Sequence, residues 1–202
     1  FVLALTMIAL LMGALFSAFF FLTQYFQNVE GLSPLATAVR WIPWSVALVT
    51  AAGASTRLLR RLSVRPLLVV GSCLASAGFL LLTRIQAHGS YAGDVVPAFV
   101  TLGLGMGLAM VPLSVAAMGG VAAEGSGVAS GVVGAMQQVG GAVGLAALAS
   151  VAAARARDAF VTTGNLAGAM VTGFHVAFVV AAGLVAVAAL VALRLLPSST
   201  PG

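Results

Sequence analysis

The sequence predicts an all-α, polytopic membrane protein with six transmembrane helices. Three observations carry that prediction. Of its 202 residues, 61% are hydrophobic and only 6% are charged, against roughly 25% charged in a soluble domain. The apolar residues gather into six runs of about 20 residues or more, the length a helix needs to cross the hydrocarbon core. The charge is pushed into the joints: Arg57, Arg60, Arg61 and Arg65, four of the nine arginines, share one short loop. One Arg at the centre of a spanning helix costs about 2.5–3.5 kcal/mol. This loop therefore lies outside the bilayer and ends two helices.

The spans are expected at about 2–27, 37–56, 66–86, 94–118, 127–153 and 171–193, with residues 1–196 forming one bundle and 197–202 a cytoplasmic tail. The first span closes at a polar joint from Asn28 to Ala36. The second ends at the Arg loop, and Pro43 interrupts it. The third starts at Pro66 and stops before His88, Gly89 and Ser90. The fourth carries Gly103, Gly105, Gly107 and Pro112. The fifth is rich in glycine, and a polar connection holding Arg155, Arg157, Asp158 and Asn165 follows it. The sixth closes at Arg194. Prolines inside a span each free a backbone carbonyl. The positive-inside rule places the Arg loop in the cytoplasm, and with it both chain ends. Arg194 agrees, while Arg155 and Arg157 fall on the outer side.

Other classes find little support. A net charge of +5 is compatible with nucleic-acid binding, but the Arg loop has no interleaved aromatics and no soluble fold carries it. Cys73 is the single cysteine and sits in an apolar run, so it reads as a packing residue. No metal cluster, phosphate-binding loop or catalytic triad is readable, so no enzyme, metal or cofactor is expected. The chain opens at Phe1 directly in a hydrophobic helix, and the expectation is a segment of a longer protein whose upstream part is missing.

Within the spans, Gly13, Phe16, Phe20, Gln24 and Gln27 share one face of the first helix. That face suits a pocket for a flat apolar or cationic compound; alternatively the rings face lipid and the glutamines mark the interface. Gly127 with Gly131, and Gly140 with Gly144, have small-xxx-small spacing that lets helices approach closely. Gly141 adjoins that second pair. So many glycines fit either static packing or helices that bend. Gln137 and Gln138 lie within the fifth span, where an amide needs a partner. His175 is expected near the outer interface. Glu30, Asp94, Glu124 and Asp158 all fall in loops or at span ends, leaving no carboxylate at mid-membrane.

Three stretches, in order, resemble the major facilitator superfamily, and most closely its fourteen-helix drug:proton antiporter branch of the EmrB/QacA type. GVASGVVGAMQQVGGAVG, Gly127 to Gly144, resembles that branch's penultimate helix. YFQNVEGLSPLATAVRWIP, Tyr25 to Pro43, and PAFVTLGLGMGLAMVPL, Pro97 to Leu113, resemble its joint and its Gly-rich helix. The loop TRLLRRLSVR departs from the family's G-x-x-x-D-R-x-G-x-R: Arg60 replaces the Asp, and only Arg61 and Arg65 match. The resemblance implies the carboxyl-terminal six-helix half of a bacterial inner-membrane exporter. It implies alternating access against a missing amino-terminal half, with a proton gradient driving the whole transporter. Its first and fourth helices would line the cavity, so Phe20, Gln24, Gln27, Met106 and Met110 are the expected substrate contacts. Gly127, Gly131, Gln138, Gly140, Gly141 and Gly144 are the expected packing and gating positions. Partners would be the lipid bilayer, the missing half and a small-molecule substrate. A non-transporting membrane scaffold or accessory subunit is the alternative.

Overall fold

The structure, a computed structural model, describes residues 1–119, 121 and 125–195. Glu124 and the tail at 197–202 lie outside the described residues. Among the described residues every regular element is helical. Helix α1 is Val2–Gln24 and runs on through a π turn at Tyr25–Val29. Then come α2, Pro34–Arg40, and α3, Ile42–Leu58. Next are α4, Val64–Leu82, and α5, Val96–Met118, entered through a π turn at Tyr91–Val95. Last are α6, Ser126–Thr163, and α7, Leu166–Leu195. Six helical segments are long and apolar enough to cross a membrane, with α2 and α3 making one of them.

Local chemistry sets the joints. Ser33 caps α2, its Oγ accepting from the Ala36 N–H at 3.3 Å, with Pro34 in the first turn. A proline there loses no helical hydrogen bond, because that N–H would be unpaired anyway. The second span breaks at Trp41, two residues before Pro43, so Pro43 starts α3 rather than kinking a continuous helix. Pro112 is different: α5 continues through it. Pro112 has no N–H for the Leu108 carbonyl, and Ser55 of α3 donates its hydroxyl there instead, at 3.1 Å. That bond explains why a serine with no exposed surface sits in an apolar interface.

The largest departure from expectation is α6. The stretch read as a polar connection is helical as far as Thr163. Alanines at 152–154, 156 and 159 are strong helix formers and carry Arg155, Arg157 and Asp158 along the helix. The true connection is two residues. Gly164 takes a left-handed conformation at φ +65° to stop α6, and Asn165 Oδ1 accepts from the Gly168 N–H at 3.1 Å to start α7. At 1.5 Å per residue the 38 residues of α6 extend about 57 Å. That is nearly twice the roughly 30 Å hydrocarbon core.

Packing divides the bundle. Helix α5 sits between α3 and α4, while α1 packs on α6 and α7, and α4 joins the groups through α7. Gly103 and Gly107 let α5 reach the backbone of α3, and Gly105 lets it reach α4 at Ala75. On the other side, Gly140 lies against Ala9, and Gly144 against Gly13. Fully buried Leu11, Phe21, Phe79, Phe99 and Phe178 belong to one hydrophobic core that both groups share.

Candidate functional site

The shared face of α1 divides into two parts. Its first half is a seam: Gly13 is buried on Gly144, and the ring of Phe16 covers Gly141. Four residues on, the same face emerges at Phe20, which is 42% exposed. Here α6 presents Ala149, Ala152, Ala153 and Ala156, a stripe at helical spacing with nothing larger than a methyl. The result is a groove of about 280 Å³, walled by Phe20 and Phe21 of α1 and by Met170 and Phe174 of α7. Phe21 and Phe174 stand 5.4 Å apart between ring centroids. No lining side chain carries a hydrogen-bonding group. The groove can hold an apolar or aromatic body, and its ring faces can attract a cation.

The other expected contacts lie elsewhere. Gln24 is half-buried, and its Oε1 accepts from the Asn28 side chain at 2.9 Å. Gln27 is half-buried one turn beyond. Met106 has no exposed surface and belongs to the core, and Met110 packs half-buried against that core. The reason is the clamp on α5, whose glycines draw α3 and α4 onto it and turn Met106 inward. Met106 is therefore not a substrate-facing residue in this conformation, and the groove is built by α1, α6 and α7.

Two further expected positions lie on open faces of this chain. A Cβ on Gly127 or Gly131 would meet nothing within 4 Å, so neither glycine marks a close backbone approach among the described residues. Gln138 is exposed rather than buried among helices, and Gln137 is half-buried. The arginine loop is as open as expected: Arg57, Arg60 and Arg61 are exposed. Arg65, in the first turn of α4, donates to the Leu193 carbonyl at the end of α7.

The structure also shows a polar belt that spacing alone does not reveal, at the opposite end of the bundle from the arginine loop. The chain after α4 unwinds at Ile85 and Gln86, and two side chains take up its carbonyls. Tyr25 donates its hydroxyl to Gln86 O at 2.8 Å, and His175 Nε2 meets Ile85 O at 2.7 Å. A carbonyl only accepts, so Nε2 carries the proton. Nearby, the Arg40 guanidinium lies 4.0 Å from the Tyr91 ring centre and 3.8 Å from Glu30, while the Tyr91 hydroxyl donates to Arg40 O at 2.7 Å. Trp41 stacks on Phe99 at 4.8 Å. The available signal was compositional: Tyr, Trp and Arg gather at helix ends where bilayer meets water. Among the described residues, no group of His, Cys, Asp and Glu could hold a metal ion.

Six apolar spans, a backbone closely packed through glycine, and an apolar groove at the helix ends define a multi-pass helical membrane bundle. Residues 1–145 match the Major Facilitator Superfamily, and the chain belongs to that superfamily. It is similar to the puromycin resistance protein pur8 of Streptomyces alboniger, 35% identical over 92% of this chain and 38% of the relative. It is also similar to the multidrug resistance protein Stp of Mycobacterium tuberculosis, 32% identical over 75% of this chain and 28% of that protein. The tetracenomycin C resistance and export protein of Streptomyces glaucescens is 35% identical over 70% of this chain and 26% of its own length. The chain thus spans between about a quarter and two-fifths of these relatives.

Proposed function

We propose that this chain is the carboxyl-terminal six-helix half of a bacterial drug exporter, a transporter rather than an enzyme, of the fourteen-helix drug:proton antiporter branch. The observation that carries the reading is the aromatic-walled, alanine-floored groove, in a chain whose superfamily relatives are named for antibiotic resistance and export. A groove without hydrogen-bonding side chains selects by shape and apolar area, which suits varied flat compounds. Alternating access would carry the compound across, with this bundle rocking against an amino-terminal half around the bound substrate and a proton gradient driving the cycle. Gln24 and Gln27, just beyond Phe20, would offer amides to a substrate's polar end.

The groove is tested in the complete exporter. Phe20→Ala removes a wall and Ala153→Phe fills the floor. Each should lower efflux of a fluorescent aromatic cation about tenfold, the loss expected for one buried aromatic contact. Membrane levels should stay unchanged. Wild-type efflux in both variants would remove the groove from the substrate path.

Orientation is tested by labelling. The reading puts Ser63 in the cytoplasm and Ser33 outside, in the inner membrane, with both ends of this segment cytoplasmic. Cys73 is exposed on α4, so Cys73→Ala comes first. Because Ser33 caps α2, His88→Cys in the loop after α4 serves as a second outer site. An impermeant thiol reagent should label the Ser33 and His88 variants in intact cells, and Ser63→Cys only after lysis. The reverse pattern would invert the topology.

A further inference from the structure

The arginine loop is a candidate site of its own. It joins two spans, α3 and α4, so it lies where the bilayer meets water. Arg57, Arg60 and Arg61 are exposed around one cleft of about 480 Å³, and Leu58 lines it with them. Leu62 lies one turn beyond Leu58 and is 42% exposed. Among the described residues none of these three guanidinium groups has a carboxylate within 4 Å; the ion pair present, Arg40 with Glu30, belongs to the other end of the bundle. Arg65 is turned away, held on the Leu193 carbonyl. The described residues at this end include five cations, Arg57, Arg60, Arg61, Arg65 and Arg194, and no carboxylate. Three forked donors around one cleft can converge on a single anion and bind it more tightly than water does.

We infer that this cleft binds the headgroup of an anionic phospholipid, with Arg57, Arg60 and Arg61 on the phosphate and Leu58 and Leu62 against the acyl chains. Two features favour a lipid over a soluble anion. Leu58 shares the arginine cleft and Leu62 is exposed one turn beyond it, and neither side chain would gain anything from free phosphate. The cleft also sits immediately beside two membrane-crossing helices, where a basic cluster meets the headgroup layer directly. A bound lipid would neutralise the excess charge and hold the α3–α4 loop to the membrane surface.

The test uses the intact protein, purified in mild detergent and titrated with short-chain phosphatidylglycerol, phosphatidylcholine and inorganic phosphate, with bound lipid read by native mass spectrometry. Phosphatidylglycerol should bind in a salt-sensitive manner, and phosphatidylcholine should bind far more weakly. The triple variant Arg57→Gln, Arg60→Gln, Arg61→Gln should lose about a hundredfold in affinity, each arginine contributing about fivefold. Arg155→Gln with Arg157→Gln, at the other end of α6, should change nothing. The triple variant removes topology signals and can fail to insert. A second variant, Leu58→Ser with Leu62→Ser, keeps every charge and should weaken phosphatidylglycerol several-fold. Equal binding of the two lipids, or unchanged phosphatidylglycerol affinity in the leucine variant, would overturn the inference. Displacement of the lipid by inorganic phosphate at equal concentration would assign the cleft to a soluble anion instead.

Discussion

Gly144→Leu should leave almost no folded, monodisperse protein after detergent extraction. A Cβ at Gly144 would collide with the Cα of Gly13, and one at Gly140 with the Cα of Ala9. Both obstacles are backbone, so no rotamer change relieves them. Relief needs the two helices to separate, which opens the contact between α1 and α6 along its length. Even Gly144→Ala should cost about 1–3 kcal/mol, the usual penalty for forcing a methyl group into a filled core. Gly141→Ala should be milder, because the atoms it meets belong to the Phe16 ring, which can swing aside. Gly134→Leu is the control, since a Cβ there meets nothing within 4 Å. Fluorescence-detected size-exclusion chromatography of all four variants reads the series. A Gly144→Leu protein with wild-type yield and melting temperature would show that the seam is not tightly closed.

The chain reconstituted alone in liposomes should show no proton-driven transport. Driving export with protons needs a group that gains a proton on one side and loses it on the other, normally a carboxylate inside the membrane. Among the described residues the carboxylates stand at helix ends or joints. Glu30 pairs with Arg40, Asp94 accepts from the Ser90 N–H at 2.9 Å, and Asp158 is exposed. His175 is occupied by the Ile85 carbonyl. On the proposed reading the coupling acid lies in an amino-terminal half outside this chain, and rocking needs both halves. An imposed pH gradient should therefore leave a fluorescent cationic dye where it is. Gradient-dependent movement that survives Asp94→Asn but vanishes with His175→Ala would place the proton site in this half.

Much of this architecture can be read from the chain because lipid punishes polarity so strongly. Six apolar runs and a dense arginine loop leave few other ways to cross a membrane. What spacing does not reveal is which neighbour a face meets. Gly127/Gly131 and Gly140/Gly144 have the same spacing, yet among the described residues the second pair lies against the α1 backbone and the first meets no close neighbour. Helix α5 is apolar all round, so no stripe of polar residues says that Met106 points inward. The outer part of α6 reads as a connection because Arg155, Arg157 and Asp158 are polar. Helix propensity and the distant stop at Gly164 keep it helical instead. Phe20 was readable as part of a mixed face, but the groove depends on four small residues of another helix. The bonds of Tyr25 and His175 to the end of α4 join positions separated by 61 and 90 residues.

The glycine seam also sets a timetable for biosynthesis. Gly144 follows Gly13 by 131 positions (144 − 13) in the sequence. At a synthesis rate of roughly 5–20 residues per second, α1 leaves the ribosome about 7–26 s before the residues that will cover it. During that interval the Gly13 face has no permanent partner. Insertion machinery or a transient neighbour must shield it, or the nascent helix must wait loosely in lipid. Slowing the ribosome between residues 27 and 126 would lengthen that wait, and rare codons there are the simplest handle on how this bundle assembles.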